Sequence, residues 1–123
     1  MQATQRNAIV GVGALFTLQG IGWLVAPKWA ATGLGMPLLD GLGRSTQVGD
    51  FAAFFLVLGL GILAGSAPER RRWLFFPASL LASAAFGRTI AWAAHGADFA
   101  AVFIPVEVLT CLFLLFSASR SDP

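Results

Sequence analysis

The stretch GRTIAWAAHGADFAAVFIPVE, residues 87–107, holds two apolar runs that turn back through His95-Gly96-Ala97-Asp98, with an arginine near one end and a glutamate at the other. A polar turn this short joins antiparallel neighbours. The charged residues inside the two runs, Arg88 and Glu107, stand nine residues before and ten residues after Ala97. At about 1.5 Å of rise per residue the two reach nearly the same depth, roughly 10–13 Å from the turn. An ion pair between them is geometrically available, and it is expected to face the inside of a helical bundle, because neither partner meets lipid cheaply.

Outward from this hairpin the rest of the chain is equally apolar. Of its 123 residues 57% are hydrophobic and only 11% charged, and the mean hydropathy is +0.76. A globule of this size cannot bury so much apolar surface against itself, which points to a bilayer. Crossing its hydrocarbon layer takes about 20 apolar residues in a helix. Four runs approach that length, at about 7–25, 46–65, 73–94 and 99–117. The expected fold is therefore all-α: one domain over residues 1–123, with four transmembrane helices in an antiparallel bundle.

The arginines orient it. Arg6, Arg70, Arg71, Arg72 and Arg120 fall on one side of this topology and Lys28 and Arg44 on the other, so both termini and the 66–72 turn are expected in the cytoplasm. The first run is longer than the apolar region of a signal peptide, and Trp29-Ala30-Ala31 is a weak cleavage match, so it is read as a mature helix. Only the 26–45 connection has room for structure of its own. Pro27 suits a first helical position, and Lys28 to Thr32 stops at Gly33 and Gly35, which gives either a short interfacial helix anchored by Trp29 or an irregular loop.

Several function classes fall away on composition. A net charge of +2 with no extended basic face excludes a nucleic-acid partner. One cysteine, Cys111, and one histidine, His95, exclude a disulfide framework and a Cys/His metal cluster. No nucleotide or cofactor motif occurs, so neither cofactor nor metal is expected and no catalytic residue is assigned. What remains are polar residues inside apolar spans, each costly unless paired or hydrated. Gln19, Asp50, Arg88 and Glu107 place one such group in the outer half of each helix, with Phe103, Thr110 and Cys111 on the face of Glu107 and Pro105 able to kink the helix beside it. Two readings stand: a buried polar clasp that fixes helix register, or a cavity open to the outer leaflet with mixed charge at its base. Glycines line the first two helices, and the small-residue pairs Gly61/Gly65 and Ser83/Gly87 mark faces for close helix packing, within the bundle or between copies.

The combination of Gly33-Leu-Gly-Met36, Gly49-Asp50, Gly59-Leu-Gly61, Gly87-Arg88, His95-Gly96 and Glu107 resembles a family of small bacterial four-helix integral membrane proteins of unknown function. The resemblance implies a multi-pass protein of the bacterial inner membrane and supports the choice of Arg88 and Glu107, without supplying an activity. The function expected is binding: an accessory subunit of a membrane complex, or a holder of a lipid or apolar small molecule. Partners are then membrane lipids and possible neighbouring subunits or further copies. The alternative is an intramembrane acid/base enzyme using Asp50 or Glu107, and a proton pathway lacks a second central carboxylate to relay toward the cytoplasm.

Overall fold

A computed structural model describes residues 2–120; Met1 and residues 121–123 lie outside the description. Among the described residues all regular structure is helical: α1 (Gln2–Val25), α2 (Pro27–Gly33), α3 (Gly41–Ala64), a 3-10 helix (Pro68–Leu74), α4 (Phe75–Ala94) and α5 (Phe103–Ser119). Three stretches are long and apolar enough to cross a membrane: α1, α3, and the 3-10 helix continued into α4, while α5 is a shorter apolar helix of 17 residues. Large side chains that a water-soluble fold would cover lie open along all of them, including Leu15 at 70%, Phe86 at 68% and Leu109 at 66% exposure. Surfaces of that kind are solvated by lipid.

The helix bounds depart from the apolar runs in a consistent direction. α1 begins at Gln2 and α3 at Gly41, five residues earlier than hydropathy alone places each. Hydropathy ends where the bilayer ends, but a helix continues until its backbone is stopped. Residues 2–6 contain no glycine or proline, and α3 starts where Gly41 takes a φ of +56° and the Arg44 guanidinium bonds Asp40 at 3.1 Å, one turn back. α5 departs the other way, starting at Phe103 rather than 99. The connection runs from His95 to Val102: Gly96, at φ +71°, caps α4 so that the Ala97 N–H reaches the Ala91 carbonyl at 3.1 Å, a left-handed cap that suits glycine. Phe99 then folds against Trp92, ring centroids 5.2 Å apart, instead of opening the next helix.

The chain divides into two compact units, one up to Leu63 and one from Ala64 onward. In the first, α1 and α3 approach through glycine. A Cβ on Gly20 would stand 2.8 Å from the Leu56 amide nitrogen, one on Gly13 2.9 Å from Leu63 Cγ, and one on Gly59 2.8 Å from the Thr17 Cα. Contacts this close leave no room for a side chain, so the backbones themselves pack. Stacked rings fill the rest, Phe16 on Phe55 and Trp23 on Phe51 with centroids 6.2 and 4.9 Å apart. Of the two alternatives for 27–33 the helix forms, with Pro27 in its first turn and Gly35 at φ +78° just past its end. The Trp29 ring lies over Gly22 while remaining largely exposed.

The second unit is held differently. Much of the 66–72 turn is taken up by the 3-10 helix, and its arginines serve it directly: Arg70 Nε donates to the Ala64 carbonyl at 2.9 Å, and Arg71 Nε to the Ser66 carbonyl at 3.2 Å. Arg71 is buried, as are Ser66 and, on α5, Ser117. Gly65 lets Leu74 pack close, 2.7 Å from where its Cβ would be.

Candidate functional site

In the second unit α4 and α5 bring Arg88 and Glu107 together. Arg88 Nε lies 3.1 Å from both Oε1 and Oε2 of Glu107. The longer connection does not upset the depth match, because Arg88 lies six residues before the end of α4 and Glu107 four after the start of α5, about 9 and 6 Å from their helix ends. Glu107 is the buried partner, its side chain 12% exposed against 34% for Arg88. Phe103, one turn before Glu107, covers a face of the guanidinium, its ring centre 4.6 Å from Cζ. Cys111 is buried on the same side of α5, Thr110 is half-buried, and Pro105 lies exposed.

Gln19 and Asp50 belong to the first unit. Gln19 is half-buried on α1, and Asp50 is exposed on α3 with no ion pair among the described residues. Asp50 lines an open cavity of about 540 Å³ between the 34–40 loop and the first half of α3. Met36 and Leu39 form the loop wall; Leu42, Thr46, Asp50 and Phe51 form the helix wall, and Asp50 is the only charged residue on either.

The residue that builds this cavity is one that the sequence reading passed over. Gln47, buried in the first half of α3, accepts the Leu39 N–H on Oε1 at 2.9 Å and donates from Nε2 to the Pro37 carbonyl at 3.0 Å. Its amide thus replaces a backbone partner for both ends of a three-residue segment and pins the loop over the helix. Arg44 adds a bond from Nε to the Leu39 carbonyl at 2.7 Å. Behind the helix wall Trp23 stacks on Phe51, fully buried, and its indole N–H meets no acceptor among the described residues.

The small-residue pairs fare unequally. Gly65 packs within the second unit and Gly61 is half-buried on α3, whereas Ser83 and Gly87 are exposed on α4 and a Cβ on Gly87 would meet nothing within 4 Å. Close packing in the first unit falls instead on Gly13, Gly20 and Gly59. His95 is exposed at the end of α4, and no group of three or more metal-ligating side chains forms among the described residues. Comparison with protein-family models, with curated proteins and with solved structures returns no match to this chain.

Proposed function

We propose that this chain is a small multi-pass protein of a bacterial inner membrane, crossing it four times as an antiparallel bundle with both termini in the cytoplasm, and that it acts by binding a lipid or other apolar molecule from the outer leaflet. On this reading it belongs with the small four-helix membrane proteins that it resembles. The cavity over α3 is the observation that carries the binding role: its walls are largely apolar, its loop wall is fixed to the helix by the Gln47 amide, and it bears one carboxyl group without an ion-pair partner among the described residues. Apolar walls with few placed polar groups are what small-molecule sites present. A second role, as an accessory subunit or in contact with another copy, is favoured by the open Ser83 and Gly87 face of α4, since small residues facing lipid admit another helix closely.

An acid/base enzyme is the weaker alternative. Glu107 is occupied by its bonds to Arg88, and Asp50 has no second titratable side chain beside it in the cavity.

The reading is tested by isolating the protein in mild detergent and weighing it by native mass spectrometry. The expected result is a bound apolar molecule on the native chain and its loss from Thr46→Trp, which fills the cavity. A bare monomer with neither lipid nor partner overturns it. Orientation is tested with Cys111 replaced and single cysteines placed at the exposed positions Glu69 and Ala97. Only the Ala97 position should react with an impermeant reagent on intact cells; reaction at the Glu69 position alone inverts the topology.

A further inference from the structure

Arg88 commits one of its three side-chain nitrogens to Glu107. The Nε hydrogen is shared between both carboxylate oxygens, each 3.1 Å away, and the terminal nitrogens Nη1 and Nη2 donate no hydrogen bond among the described residues. Those two nitrogens carry four N–H donors. They form the open end of the pair, since Arg88 keeps 34% of its side chain exposed while Glu107 is nearly closed off. The neighbouring Thr89 hydroxyl turns its hydrogen to the Ala85 carbonyl at 2.8 Å and makes no bond to Arg88. The surroundings are aromatic, with Phe103 over the guanidinium and Trp92, one turn along α4, meeting Phe99 edge to face.

In hydrocarbon, N–H groups without an acceptor are costly, so this end requires one. Charge decides its kind. Arg88 and Glu107 already balance, and an anion added to them leaves a net negative charge in an apolar setting. A neutral oxygen takes up the donors without that penalty. We infer that the Nη end of Arg88 is a binding site for an uncharged, apolar-bodied molecule presenting a carbonyl oxygen, of the fatty-ester type. The site rests on the second unit alone, so it stands or falls independently of the cavity over α3. The same chemistry has two sources, the ester groups of the bilayer's own lipids and a separate ester-bearing molecule.

The test uses the full-length protein in nanodiscs of diether phosphatidylcholine, which has no ester carbonyl, with bromine quenching of Trp92 as the readout and Trp92→Phe as the blank. Three probes share one chain: dibromostearate methyl ester, the ionised free acid, and the dibromoalkane. Saturable quenching should be tightest for the ester, by about tenfold over the alkane, the worth of one hydrogen bond from a charged donor. The preference should vanish in Arg88→Met/Glu107→Met, which removes both charges together. Because the three probes are compared on the unaltered protein, the test stands even if that variant does not fold. Equal quenching by ester and alkane overturns the site, as does tighter binding of the acid, or an ester preference that survives in the double variant. Repetition in ester-linked discs separates the sources: weaker probe binding there assigns the site to bilayer lipid, and unchanged binding assigns it to a separate molecule.

Discussion

The two units of this chain pack apolar helices by opposite means. α1 and α3 touch through missing side chains, at Gly13, Gly20 and Gly59, with stacked rings between and a single buried amide, Gln47, outside the contact. The unit from Ala64 onward instead buries polar and charged groups: Arg71, Ser66, Ser117 and Glu107, the last paired with a half-buried Arg88. Lipid gives helices no hydrophobic reason to associate, so contact has to come either from backbone proximity or from polar groups whose alternative is to go unpaired. The first solution is short-ranged and intolerant of bulk; the second is tolerant of bulk and intolerant of losing one partner.

That contrast is sharpest at Glu107. Glu107→Ala leaves the half-buried Arg88 guanidinium without its anion and should lower stability by about 3 kcal/mol, the lower end of what broken buried pairs cost, since Arg88 keeps 34% of its side chain exposed. Arg88→Ala should be milder, because the remaining carboxyl group can take up a proton. Arg88→Met/Glu107→Met should regain much of the loss; additive losses in thermal unfolding in detergent would mean that each residue is held by something else. In the first unit the equivalent break is added volume. Gly59→Val pushes a side chain into the Thr17 backbone and should cost about 1–3 kcal/mol, whereas the same change at the open Gly87 should cost far less. Equal effects at the two positions would remove the distinction between the units.

Smaller effects are expected at the connections. Gln47→Leu keeps the side-chain bulk but strands the Leu39 N–H and the Pro37 carbonyl, for about 1–2 kcal/mol. Proteolysis or hydrogen exchange should find the 34–40 loop released, with α1 and the rest of α3 unchanged. Gly96→Ala forces a side chain into a left-handed backbone and should cost about 1 kcal/mol. Gly87→Ala is the smallest expected effect: the position has open space around it, so alanine's better helix propensity should leave the protein as stable or more so, by up to about 1 kcal/mol.

Legibility in the sequence followed the same physics. Arg88 and Glu107 stood out because charge inside an apolar run has few explanations, and equal spacing from a turn is a geometric statement that survives errors in the turn itself. The short α2 was readable from Pro27 and the glycines after it. Where α5 begins was not, since Phe99, Ala100, Ala101 and Val102 are as apolar as the helix they precede; only the return of Phe99 onto Trp92 decides it. Gln47 was hidden because a polar residue near a helix start looks like ordinary flanking sequence until the loop is seen to fold back. Glycine spacing marked the right helices without choosing the face: Gly59 makes the close approach in α3, and the Ser83 and Gly87 face of α4 stays open.

The 3-10 turn carries a consequence for how this chain is made. During insertion the translocation machinery senses arginine and lysine alike, as positive charge. The finished turn is more exacting, because Arg70 and Arg71 reach the Ala64 and Ser66 carbonyls through Nε, a donor that lysine does not possess. A chain with lysine at 70 and 71 should therefore emerge from biosynthesis threaded like the native one, yet with its α3-to-α4 connection loosened. On the proposed topology the same two residues serve threading by their charge and the folded turn by their shape.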